Sequence, residues 1–87
     1  MSELRLRPDA LSWREVDGEL VAIDTLTSTY LAANPTGLLL WEALAAGATR
    51  DDLASRLVET YGIDRERAEA DVDRFLEALR TRGLLAA

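Results

Sequence analysis

The sequence contains no cysteine and no histidine. The first absence excludes disulfides, thiolate metal sites and a cysteine nucleophile. The second removes the usual general base, the Ser-His-Asp triad and the commonest metal ligand. Lysine is absent too, so all 10 basic residues are arginine, against 16 acids, for a net charge of −6. Phosphate binding needs a basic surface, and this balance argues against a nucleic-acid partner. No apolar run approaches the ~20 residues of a membrane span. Met1 to Pro8 carries Glu3, Arg5 and Arg7 where a secretory signal needs an apolar stretch, and Leu84 to Ala87 adds no targeting tail. A cytoplasmic protein with no membrane partner is expected.

The chain has 87 residues, enough for one hydrophobic core and no second lobe. Apolar residues make up 48% of it, which excludes a disordered chain. Two periodicities divide it. Leu11 to Val16 roughly alternates apolar and polar residues. Asp17-Gly18 follows, the pair that suits a two-residue hairpin with positive φ. Glu19 to Asp24 reads as a second strand, with Leu20, Ala22 and Asp24 on one face and Val21 and Ile23 on the other. Thr25 to Thr29 is small and polar, a connection to a third strand, Thr29 to Ala33. A three-stranded antiparallel meander results. Leu4 to Arg7 adds a frayed extended segment that Pro8 stops.

The rest has helical spacing. Asn34 is a good N-cap and Pro35 suits the first helical position, so helix one runs from there to about Ala45. Leu38, Leu39, Leu40, Trp41 and Leu44 make it apolar nearly all round, the mark of a buried central helix. Gly47 ends it. Thr49 and Asp52 have capping-box spacing at the start of helix two, whose inner stripe is Leu53, Leu57 and Val58, closed by Tyr61-Gly62. Asp64 caps helix three, with Ala68, Val72, Phe75, Leu76 and Leu79 inward and Gly83 as its stop. The expected class is α+β: a three-stranded antiparallel sheet followed by three helices, with a winged-helix-like outline.

The candidate sites differ in what they can support. Asp51 and Asp52 sit where a helix N-terminus favours negative charge. Glu69, Asp71 and Asp73 interleave with Arg65, Arg67 and Arg74, the pattern of a solvated, ion-paired face. No base, nucleophile or metal cluster accompanies them, and Ser12, Ser28 and Ser55 have nothing to activate them, so no enzyme and no cofactor are expected. Helix three carries five Arg (65, 67, 74, 80, 82) but six acids (Asp64, Glu66, Glu69, Asp71, Asp73, Glu77), so duplex DNA would be repelled despite the winged-helix outline. Trp41 reads as core, and Trp13, on a half-exposed strand, as the better surface contact. The third strand is the most informative element. At a sheet edge it shows unpaired N–H and C=O groups and accepts an extended peptide as a further strand. The competing expectation is that the N-terminal segment or a second copy covers it.

Leu31-Ala32-Ala33-Asn34-Pro35-Thr36-Gly37, continuing into Leu38-Leu39-Leu40-Trp41-Glu42-Ala43-Leu44, resembles the strand-to-helix signature of PqqD-like proteins. Gly47-x-Thr49, Leu53-x-x-x-Leu57, Tyr61, the Ala68 to Leu79 stripe and Gly83-Leu84-Leu85 fit the same ordered set. The resemblance covers nearly the whole chain from Pro8 and implies one PqqD-like domain over residues 1–87. Such domains are non-catalytic recognition elements of ribosomally made, modified peptides. They bind the leader region of a precursor and present it to processing enzymes.

A free-standing domain of this length is similar to the one used in lasso-peptide maturation. The implied partners there are a precursor leader peptide, a leader peptidase of the cysteine-protease type and a cyclase. Other free-standing members serve radical-SAM or other modifying enzymes. The resemblance further implies that the leader adds to Ser28, Thr29, Tyr30, Leu31, Ala32 and Ala33 in a groove against helix three. Val72, Phe75 and Leu79 are then candidates for its floor, and Asp71, Arg74 and Ala78 for its flank. Lasso leaders of this type commonly offer a Tyr and a Pro to hydrophobic pockets.

Four or five backbone hydrogen bonds at ~0.5–1.5 kcal/mol each give about 2–7 kcal/mol, short of the ~8 kcal/mol of a micromolar complex. Apolar pockets must supply the remainder. Proline at Leu31 or Ala33 is expected to remove a backbone donor and block strand addition. Phe75→Ala is expected to act as a core loss of ~3–5 kcal/mol. Two other classes stand beside the adaptor: a DNA-binding winged helix, and a structural subunit that stabilises a modifying enzyme without touching its substrate.

Overall fold

The computed structural model describes residues 3–86. The readings of the termini that touch Met1, Ser2 and Ala87 lie outside the described residues. Three strands, β1 (Leu11–Val16), β2 (Glu19–Asp24) and β3 (Thr29–Ala33), precede three helices, α1 (Pro35–Ala46), α2 (Arg50–Tyr61) and α3 (Arg65–Thr81). The strands form one antiparallel sheet in the order β1-β2-β3. Asp17 and Gly18 take φ of 53° and 80°, the two positive values of a type I′ turn, and close the first hairpin at Val16 and Glu19. This is the α+β meander-plus-helices architecture that the two periodicities predict.

Each helix begins on a side-chain cap. Asn34 Oδ1 accepts from Gly37 N at 2.9 Å, Thr49 and Asp52 form a reciprocal capping box, and Asp64 accepts from Arg67 N at 2.8 Å. The core lies between the inner face of the sheet and the helices. Leu20 and Ala22 of β2, Leu40, Trp41 and Leu44 of α1, Leu53 and Leu57 of α2, and Val72 and Leu79 of α3 are all buried. Leu38 is buried and Leu39 half-buried, so α1 is the central helix. Trp13 stands edge-on to Trp41 with ring centroids 6.2 Å apart, so most of it packs while 37% faces solvent.

The N-terminal segment is pinned, where fraying was expected. Leu4 and Ala48 exchange backbone hydrogen bonds of 2.7 and 3.0 Å, Arg7 N donates to Leu84 O at 2.8 Å, and Ala86 N donates to Arg5 O at 2.9 Å. The segment is thus a strap that joins the α1–α2 connection to the tail after α3. Its alternating Leu4 and Leu6 pack on the core, and those two contacts hold it there.

Candidate site at the open sheet edge

The phase of the hairpin decides which backbone groups of β3 are free. In an antiparallel pair, residues alternate between exchanging both hydrogen bonds and turning them outward. Val16 and Glu19 are the bonded pair that closes the turn, and Thr25 N still donates to Ala10 O at 2.8 Å at the far end of the same ladder. Val21 and Ile23 therefore bond to β1. Leu20, Ala22 and Asp24 bond to β3 through Ala33, Leu31 and Thr29. Tyr30 and Ala32 are left with their N–H and C=O groups pointing away from the sheet. Two residues with two groups each make four open hydrogen-bonding positions.

This alternation corrects the proline expectation. The N–H groups of Leu31 and Ala33 belong to the ladder with β2, so proline there would break the sheet. The N–H groups that point away from the sheet are those of Tyr30 and Ala32. The same alternation sends the Leu31 and Ala33 side chains inward against the core. It sends Tyr30 onto the outer face, 62% exposed, beside Ile23 at 45%. Ser28, with φ of 57°, turns the chain into the strand.

Beyond the end of β3 an open cleft of about 480 Å³ separates the start of α1 from α3. On the α3 side it is lined by Arg67, Asp71, Arg74, Phe75 and Ala78, and on the α1 side by Asn34, Thr36, Gly37 and Leu40. Gly37 is needed for close approach: a Cβ there would lie 2.6 Å from Ala33 Cβ and 3.4 Å from Phe75 Cε1. Strand end, helix start and Phe75 thus meet at one point.

Of the helix-three candidates, the structure brings Asp71, Arg74, Phe75 and Ala78 to this cleft. Val72 and Leu79 are fully buried and support it as core without surfacing. Phe75 is half-buried, so its ring is the apolar surface the cleft presents. Sequence reasoning placed Asn34 and Gly37 only as cap and signature residues, and it missed Thr36, Leu40 and Arg67 as lining. The cap pattern was the available signal, because an N-cap directly after an edge strand brings the first helical turn beside that edge.

The electrostatics are those of a paired surface. Arg74 Nη2 donates to Asp71 Oδ1 at 3.2 Å within the cleft wall. Arg50 grips Asp73 with bonds of 2.6 and 2.8 Å, which lowers the Asp73 carboxyl below its usual range and raises the guanidinium. Arg65 contacts Asp51 and Glu69 at 3.2 Å each. At the end of β2, Asp24 is buried and accepts from Arg7 Nη2 at 2.5 Å and from Leu26 N at 3.0 Å. The Arg7 guanidinium holds its carboxyl down to about 2, against burial, which pushes it up. Sequence reasoning assigned this ion pair to neither residue. Among the described residues no group of three His, Cys, Asp or Glu is placed to hold a metal ion, and no helix is long and apolar enough to cross a membrane.

Known proteins share this fold. The solved structure of TbiB1 in complex with the TbiA(beta) leader peptide superposes with a TM-score of 0.88 at 28% identity, covering 95% of each chain. A lasso peptide synthetase B1 complexed with the leader peptide superposes with a TM-score of 0.85 at 29% identity, covering 99% of this chain and 100% of that one. No curated protein matches the chain. The family model described as coenzyme PQQ synthesis protein D matches residues 19–85, from β2 through the tail after α3, which takes in the open strand, its capped helix and the cleft. The chain belongs to the PqqD family.

Proposed function

We propose that this chain binds the leader region of a ribosomally made precursor peptide as an added strand on β3 and presents it to a processing enzyme without catalysing a step itself. The observation that carries this reading is the outer side of β3. It offers the four unpaired backbone groups of Tyr30 and Ala32, bears no charge, and runs into the Phe75 cleft. The two structural neighbours described as leader-peptide complexes share the fold that builds this edge. Residues 1–87 act as one such domain, in the cytoplasm, where precursors are made. The processing enzymes are a leader peptidase of the cysteine-protease type and a cyclase, served by raising the local concentration of precursor.

Four net hydrogen bonds supply about 2–6 kcal/mol, and a micromolar complex needs ~8 kcal/mol. An apolar side chain of the leader packed against Phe75 supplies roughly 2–3 kcal/mol. The test is calorimetry with overlapping peptides from the precursor encoded beside this gene. Micromolar or tighter binding to a leader peptide, with none to the core segment, is the expected result. Failure to bind any leader, while the protein still co-purifies with a neighbouring enzyme, would make it a structural subunit.

A further inference from the structure

Two buried polar atoms have no hydrogen-bond partner among the described residues: Asp24 Oδ2 and Trp41 Nε1. Asp24 is 4% exposed and Trp41 is 0% exposed, so neither atom is served by bulk solvent. They belong to different elements, β2 and α1, yet both residues line one small cavity walled by Leu11, Ala22, Leu31 and Leu84. An indole N–H only donates and an ionised carboxylate only accepts. The Arg7 guanidinium and Leu26 N engage the other carboxylate oxygen; the Thr27 hydroxyl lies near enough to help lower the Asp24 carboxyl, but its hydrogen bond of good geometry is the one to Thr29 Oγ1 at 2.6 Å. Donor and acceptor therefore belong to two residues that line the same small space, and no direct hydrogen bond joins them. The cavity measures about 10 Å³, close to the ~10–15 Å³ that one oxygen-sized group needs.

The geometry points to a site for a single hydroxyl oxygen, which accepts from Trp41 Nε1 and donates to Asp24 Oδ2. In the free protein that oxygen is a water. The exposed lining residues, Thr29 and Arg82, put the mouth of the cavity between the start of β3 and the end of α3. It is therefore the counterpart, at the other end of β3, of the Phe75 cleft. A hydroxyl-bearing side chain of a peptide laid on β3 is the second source of the same chemistry, and that source alone rests on the leader-binding reading.

The protein has two tryptophans, so the Trp41 indole proton is assigned against Trp13 in a ¹⁵N-labelled sample. In the free protein a rotating-frame cross-peak from the Trp41 indole proton to a long-lived water is expected. In a crystal structure an oxygen is expected within hydrogen-bond distance of both atoms. Absence of both would overturn the site, whether or not any leader binds. A water signal with no leader binding keeps the site and removes the leader reading.

With a binding leader peptide, each Ser, Thr or Tyr of the peptide is replaced in turn by Ala, Val or Phe. A loss of affinity of at least about fivefold at one residue, together with loss of the water cross-peak in the complex, identifies the peptide as the source. A cross-peak that persists, with no replacement mattering, identifies water as the resident in both states.

Discussion

β1 and β3 are the two outer strands of one sheet, with the same backbone groups turned outward. β1 carries Arg14 and Glu15 in mid-strand, and its Leu11 and Trp13 share a cleft with the strap residues Arg5 to Pro8. β3 reads Thr-Tyr-Leu-Ala-Ala, uncharged throughout, and no described segment pairs with its outer side. Charges and a neighbouring segment are devices by which sheets avoid pairing with another chain. The strap that was one candidate to cover β3 instead ties Ala48 to Leu85, away from that edge. What separates a guarded edge from a receptive one is thus its side chains and neighbours, since the backbone potential is equal in both.

Proline substitutions break or sharpen this contrast most directly. Leu31→Pro removes a donor from the β2–β3 ladder and inserts a ring where a side chain packs on the core; loss of the cooperative thermal transition by circular dichroism is the expected result. Ala32→Pro removes only an outward N–H. It should stay folded, with leader affinity reduced at least ~tenfold by calorimetry, a change of about 1.4 kcal/mol. Glu15→Pro makes the same change on the outward side of β1 and should leave affinity unaltered. Equal losses from Ala32→Pro and Glu15→Pro would erase the distinction between the edges.

A smaller effect is expected at the cleft. Phe75 is half-buried, so Phe75→Ala should cost about 2 kcal/mol in a urea melt, below the ~3–5 kcal/mol of a full core truncation, and should also weaken leader binding. The structure thereby makes Phe75 a usable probe, which a core assignment denied. If its loss left affinity unchanged, the cleft would have no part in capture.

A weaker effect is expected at low pH. The Asp24 carboxyl is lowered from 3.8 to about 2 by Arg7, so its contribution is fully present above about pH 4 and is lost as pH falls towards 2. Asp52 and Asp73 are lowered as well and add their own slope. Urea melts between pH 5 and 2 should therefore show a steeper loss for the native protein than for Asp24→Asn. Parallel slopes would mean that the Arg7–Asp24 pair does not tie the strap to β2 in solution. Arg74→Gln, which removes an exposed pair in the cleft wall, should leave the melt unchanged.

Much of the fold is legible in local patterns. The strand bounds, the Asp17-Gly18 turn and the caps at Asn34, Thr49 and Asp64 rest on interactions within a few residues, which is why they can be read along the chain. The inward stripe of α3 is legible for the same reason, with Phe75 as the exception. Its spacing matches Val72 and Leu79, but it lies where α3 passes Gly37, and only the placement of α1 opens a cleft there. Likewise, alternation along β3 predicts two faces but not which N–H groups stay free, because that depends on the register of three strands counted from a turn.

The sequence by itself determined the elements, their order and the exclusions: no thiol or imidazole chemistry, no basic surface, one small core. Those follow from composition and from interactions between near neighbours. Tertiary structure decided which edge is open, which side of α3 meets it, that Arg7 pairs with Asp24, and that Asp24 and Trp41 line one cavity. Such facts depend on contacts between residues far apart in the chain, set by how apolar faces pack together, and no local pattern encodes them.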